Sequence, residues 1–111
     1  MAVKKWECIS SEIMGDYDIF KVRRSIMRSP RTGDAHEFHM LDVPTCVKVI
    51  PVTDDGSIVL VEQYRQAVQR ASLEFPAGIM EEGEDAIRAG MRELEEETGY
   101  RAKTASVVAE I

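Results

Sequence analysis

The most informative stretch of this chain runs Gly78-Ile79-Met80-Glu81-Glu82-Gly83-Glu84-Asp85-Ala86-Ile87-Arg88-Ala89-Gly90-Met91-Arg92-Glu93-Leu94-Glu95-Glu96-Glu97-Thr98-Gly99-Tyr100. Just upstream, Leu73-Glu74-Phe75-Pro76 reads as a short strand ended by proline, with a tight turn expected at Ala77-Gly78. Residues 79–84 read as a loop around Gly83, and Asp85–Thr98 as a helix. At about 100° per residue, Ile87, Met91, Leu94 and Thr98 fall in one apolar stripe, and Gly99 supplies the stop. On the same wheel Glu93, Glu96 and Glu97 are expected to project away from that stripe. Glu93 and Glu97 lie one turn apart. Carboxylates stacked in this way repel, and helix propensity gives no reason to keep them. A hard divalent cation does give one, because Mg²⁺ takes oxygen ligands and leaves positions open for phosphate. Backbone carbonyls near Ala77-Gly78 are candidates for a further hard ligand, and Arg92, four before Glu96, can brace the acidic face.

The charge balance concentrates attention on the same residues. Acids outnumber bases 20 to 14 over 111 residues, for a net charge of -6. Residues 81–97 hold eight of those acids and two bases, so the rest of the chain is balanced. A sequence pI near 4.9 argues against nucleic-acid binding by phosphate neutralisation. No apolar run approaches the roughly 20 residues of a bilayer span, and the N-terminal residues lack a secretory apolar stretch, so membrane partners are not expected. Cys8 and Cys46 form no CxxC pattern. They are expected to be small buried or half-buried thiols in a reducing cytoplasm.

Outward from the helix, the chain divides into residues 1–44, an antiparallel β-module, and residues 45–111, a mixed α/β core. Within the first part Tyr17–Met27 is β-rich, Ser29–Asp34 is turn chemistry, and Ala35–Leu41 is expected to return as the paired strand. Thr45–Thr53 and Ser57–Tyr64 read as strands joined by a hairpin at Asp54-Asp55-Gly56. Their apolar residues on both faces predict layers above and below the sheet. Residues 100–111 look like the start of a further strand.

Gly78, five residues, Glu84, seven residues, then Arg92-Glu93-Leu94-Glu95-Glu96-Glu97-Thr98-Gly99-Tyr100 resembles the Nudix box at every fixed position, with Tyr100 standing where a bulky aliphatic is commoner. Glu62-Gln63-Tyr64-Arg65 and Leu73–Gly78 are similar to the ADP-ribose pyrophosphatase branch of that superfamily. The resemblance implies an α/β/α sandwich with a mixed sheet, short at its C-terminal side, carrying a small N-terminal β-module that serves dimerisation and the substrate pocket. It implies hydrolysis of the pyrophosphate of a nucleoside diphosphate sugar, ADP-ribose to AMP and ribose 5-phosphate, with Mg²⁺ or Mn²⁺. Carried over by position, Glu93 and Glu97 are metal ligands, Glu96 joins them or holds a bridging water, and the Ala77 carbonyl completes the set. Arg92 and Glu84 are orienting residues, with Arg92 counted among the catalytic group alongside the three glutamates. On the substrate side the resemblance implies Arg65 for a phosphate, with Gly78 and Glu74 nearby.

Several alternatives stay open on the residues alone. Glu74 either contributes to the site or pairs with Arg65 or Arg70. Trp6 either stacks on a nucleobase or anchors the N-terminal strand. Arg23, Arg24, Arg28 and Arg31 either attract an anionic substrate or cap solvated strand ends, and His36 and His39 read as surface or turn residues. The branch's general-base glutamate lies beyond the box, where this sequence offers Glu110. The family's last strands and closing helix have no counterpart among residues 100–111, so the sequence is expected to be a fragment or a short form. An open strand edge at residues 104–111 predicts a homodimer, by strand exchange or through the N-terminal module. A catalytically inactive Nudix-like module binding nucleotide or protein is the alternative function, and a purely structural acidic domain a weaker third.

Overall fold

A computed structural model describes residues 2–111, which divide into two compact units, one ending at Pro44 and the other spanning Thr45–Ile111. The first is a three-stranded antiparallel meander of β1 (Glu7–Asp16), β2 (Lys21–Arg28) and β3 (Ala35–Asp42). Strand β2 begins at Lys21 rather than at Tyr17, because Tyr17–Phe20 make the hairpin. Asp18 takes φ 66° there, and the Tyr17 amide bonds to the Phe20 carbonyl at 3.0 Å. Short polar Asp tolerates this left-handed conformation. The second hairpin follows the sequence reading: Ser29 N–H bonds Asp34 O at 2.8 Å, and Gly33 takes φ 81°.

Three opposite-charge clusters tie the meander together. Arg23 donates to Asp42 on β3, Arg24 bridges Glu12 on β1 and Glu37 on β3, and Arg28 pairs with Glu7. These partners argue for a structural role over an anion-attracting one. Trp6 sets its ring edge-on to His36 and Phe38, at centroid distances of 5.6 and 5.5 Å. It therefore anchors the N-terminal segment onto the β3 face that those alternate residues share.

The second unit holds two strand pairs and the one helix among the described residues. β5 (Val61–Arg65) pairs with β6 (Arg70–Glu74), and β4 (Cys46–Lys48) pairs with β7 (Ala77–Ile79). The expected long strand 45–53 is cut short, in keeping with Pro51, which has no N–H for a ladder. Beyond it only a bridge between Val52 and Ile58 remains, closed by the Asp55-Gly56 turn with Gly56 at φ 84°. Helix α1 (Ala86–Thr98) is capped by Asp85, whose carboxylate accepts the Arg88 N–H, and ends at Gly99 with φ 77°. It packs on β4 and β7 through Ala89 and Leu94, which are buried, and through Gly90, which lies close to Val49.

Antiparallel strands with one helix make this a mixed α/β fold, as the sequence implied. The expectation of burial on both sheet faces is corrected: Ile50, Ile58 and Leu60 are exposed, since α1 covers β4–β7 from one side. Residues 104–111 are also corrected, for no strand pairs with them among the described residues, and Val107, Val108 and Ile111 are exposed. Apolar residues alone do not make a strand without a partner to take their backbone hydrogen bonds. Cys8 and Cys46 are both free and exposed, not buried. No helix among the described residues is long and apolar enough to cross a membrane.

Candidate functional site

Strand β7 sets the geometry of the acidic site. Val49 N–H bonds Pro76 O at 2.8 Å, and Met80 N–H bonds Thr45 O at 2.9 Å. Ladder bonds in an antiparallel pair serve alternate residues, so Val47 and Gly78 face each other in the bonded register while Ala77 and Ile79 turn their polar groups outward. Both outward residues are used by α1. Ala77 N–H donates to the Glu97 carboxylate at 3.3 Å, and Ile79 C=O accepts from Arg92 Nη2 at 3.0 Å. The same alternation leaves the Ala77 carbonyl off the β4 ladder.

Gly78 therefore lies in a strand, not in the expected turn, and it does different work there. A Cβ at this position would overlap the Glu93 carboxylate, so glycine makes the space in which that side chain rests. Glu93 is only 12% exposed as a result. The wheel placed Glu93 and Glu97 away from the packed stripe, and this too is corrected. They lie on the flank of α1 that meets β7, where the missing side chain of Gly78 and the outward amide of Ala77 admit carboxylates. Glu96, which is 58% exposed, does point outward.

Arg92 is the centre of this constellation. Its Nε and Nη2 grip Glu84 at 2.8 and 2.9 Å, the parallel fork that guanidinium and carboxylate planes favour. Its Nη1 donates to Glu93 at 2.7 Å and to Glu96 at 3.2 Å. Together with the bond to Ile79 O, all the N–H donors of the guanidinium are engaged. Hydrogen bonds from Arg92, then the Glu81 amide, hold the Glu84 carboxyl at about 2, well below its ordinary 4.5. The Arg92 guanidinium is correspondingly more firmly protonated, through Glu84 first and Glu93 second. The Ile79 carbonyl was invisible to sequence reasoning, since a backbone atom leaves no mark in residue identity.

Arg65 and Glu74 form a second paired fork across the β5–β6 hairpin, with Nε–Oε2 at 2.7 Å and Nη2–Oε1 at 3.0 Å. Of the partners left open for Glu74, the structure selects Arg65. The hydrogen bonds from Arg65 lower the Glu74 carboxyl, and the hydrogen bonds to Glu74, then the charge of Glu74 and last that of Glu97, raise Arg65.

The donor set suits a hard cation. Glu93 rests against Gly78 and Glu97 on the amide of its β7 neighbour Ala77, and the Ala77 carbonyl shares that edge. The acids also stand at the wrong end of the helix for its own electrostatics: the last turn carries no base, while Glu95, Glu96 and Glu97 crowd the negative pole of the dipole. Among the described residues no three acidic, histidine or cysteine side chains converge as a ready-made cage, in keeping with Arg92 drawing Glu93 and Glu96 to itself.

Comparison with known proteins adds the family context. A sequence profile described as NUDIX domain matches residues 43–111. The ADP-ribose pyrophosphatase of Bacillus subtilis is 45% identical over 71 residues, 64% of this chain and 38% of that protein. The ADP-ribose pyrophosphatase of Mycobacterium tuberculosis is 34% identical, covering 100% of this chain and 54% of its own length. The chain thus spans about half or less of these relatives. A crystal structure of an ADP compounds hydrolase superposes with a TM-score of 0.78 at 24% identity, covering 94% of this chain and 56% of the other, which establishes likeness of fold.

Proposed function

Because the chain belongs to the NUDIX family, whose profile spans residues 43–111, we propose that it hydrolyses the diphosphate bond of a nucleoside diphosphate sugar, with ADP-ribose yielding AMP and ribose 5-phosphate. Relatives named as ADP-ribose pyrophosphatases support the substrate class. The observation that carries the reading is the seating of Glu93 against Gly78 and of Glu97 on the Ala77 amide, which brings two carboxylates and a free carbonyl to one strand edge.

In this reading Glu93, Glu96, Glu97 and the Ala77 carbonyl hold Mg²⁺ or Mn²⁺. When bound, such an ion would neutralise the diphosphate and lower the pKa of water, the chemistry that attack at phosphorus with loss of the bridging P–O bond requires. The remaining work belongs to the chain. Arg92, locked by Glu84, holds Glu93 and Glu96 in place before an ion binds. Arg65 presents a planar fork suited to paired phosphate oxygens, and Glu74 holds that fork in the plane of the hairpin until substrate competes for it. Gly78 keeps the strand edge open to both carboxylate and substrate.

Incubation of the chain with ADP-ribose and Mg²⁺ is expected to release AMP and ribose 5-phosphate, with Glu93→Gln and Glu96→Gln strongly impaired. Binding of a nucleotide sugar without turnover, across a panel of such substrates, would overturn the enzymatic reading and leave a nucleotide-binding module. We also read the protein as a cytoplasmic homodimer. Free, exposed Cys8 and Cys46 fit a reducing compartment, and the edge strands β1 and β3 expose Ile9, Ile13, Met14, Met40 and Leu41.

A further inference from the structure

We propose that Arg92 is a built-in counterion that exchanges with the divalent cation: its Nη1 corner holds Glu93 and Glu96 in the metal-free protein and surrenders them on metal binding, while its Nε/Nη2 edge stays on Glu84 and Ile79. The inference rests on the cation site proposed above and adds how that site is regulated by its own arginine.

The geometry divides the guanidinium into two parts. The Nε/Nη2 edge makes a two-point contact with Glu84, itself only 13% exposed, and a third bond to a strand carbonyl. Nothing in the proposed cation set competes for those partners. The Nη1 corner instead donates to Glu93 and Glu96, both members of that set. One nitrogen thus engages an oxygen of each of two carboxylates that an ion would need. A largely enclosed carboxylate such as Glu93 needs a positive partner at all times, and in the metal-free protein Arg92 is the partner it has.

Charge counting agrees. Glu84, Glu93 and Glu96, with Glu81 at 3.9 Å, surround one guanidinium, so a single arginine leaves net negative charge there for a divalent ion to neutralise. A fixed arginine edge with a transferable corner lets the acidic flank stay folded without metal. It also sets the affinity for metal as the difference between two competing cations. Arg92 is then a positioning residue whose removal has a diagnostic sign. If it only aimed the carboxylates, its loss would weaken metal binding; if it competes for them, its loss strengthens binding.

The test is calorimetric titration of the full chain with Mg²⁺ and Mn²⁺, wild type against Arg92→Gln. The exchange predicts about tenfold tighter binding by the variant, the scale of one released charge-assisted hydrogen bond. Equal or weaker binding by the variant would overturn it. Should the variant not fold without metal, the wild type carries the test through the guanidinium nitrogen resonances of Arg92. Saturating Mg²⁺ should leave the Nε–H resonance near its metal-free position while the Nη1 signals shift and exchange faster. Nη signals unmoved by bound Mg²⁺ would sink the exchange alone. No binding heat from either protein would overturn the cation site itself, and the exchange with it.

Discussion

At Gly78 a missing side chain is the functional group. The backbone there is ordinary strand, so alanine meets no conformational barrier; its Cβ would instead evict the Glu93 carboxylate, the far end of a flexible side chain. Gly78→Ala should therefore unfold within about 1 kcal/mol of wild type. It should lose hydrolytic rate by about 100-fold, the scale expected when a reacting group is misplaced by an ångström. Parallel urea melts and AMP-release assays separate the two effects, and a variant with normal rate would show that Glu93 does not need its seat. Glu84 makes a second residue-scale claim. Its carboxyl sits at about 2 in the folded chain against an ordinary 4.5, so its ionised form stabilises the fold fully above pH 4.5 and that contribution drains away as pH falls towards 2. Thermal melts over this window should fall more steeply for wild type than for Glu84→Gln. Superimposable profiles would remove Glu84 from the acid response.

Single elements show what residue order can encode. Helix α1 was legible to within a residue because its signals are local: the sequence read it as Asp85–Thr98 stopped by Gly99, and the structure keeps that stop but begins the helix at Ala86, with Asp85 as its cap. Asp85→Ala should cost about 1 kcal/mol and lower the melting temperature by about 5 °C, as loss of a cap does in a unit this small. An unchanged melting temperature would mean that the Arg88 amide finds another acceptor. Which flank of the helix carries chemistry was not legible. The wheel measures angles from apolar residues and cannot know that β7 offers a glycine and a spare amide, which is how Glu93 and Glu97 come to lie inward. Strand β7 itself was read as a turn, since Pro76-Ala77-Gly78 has turn composition. Its strand character comes from Cys46–Lys48, distant in sequence. The carboxylate identities and spacing were plain, and their backbone partners were not.

The whole chain comprises two units of different character, a salt-bridged β-meander and an α/β unit whose large apolar side chains are mostly exposed. In the meander both edge strands present apolar residues to solvent beside unpaired backbone, an arrangement that invites a second copy to pair along them. Light scattering at micromolar concentration should return twice the 12.5 kDa chain mass. A monomer mass there would dismiss the dimer without touching the chemistry of the second unit. Fold class was readable from the helical and strand patterning and the turn residues. The extent of each sheet was not, because a strand exists only where another accepts its hydrogen bonds.

The crowding of glutamates at the negative pole of α1 has a practical corollary. Stripped of divalent ions by a chelator and held at low ionic strength, the final helical turn is the place where the protein should begin to fray, with its amides exchanging hydrogen first. Ordinary salt shortens the reach of that repulsion to about 8 Å at 0.15 M. The buffer would thus partly substitute for the proposed cation, and the protein's apparent robustness will depend on what else is dissolved with it.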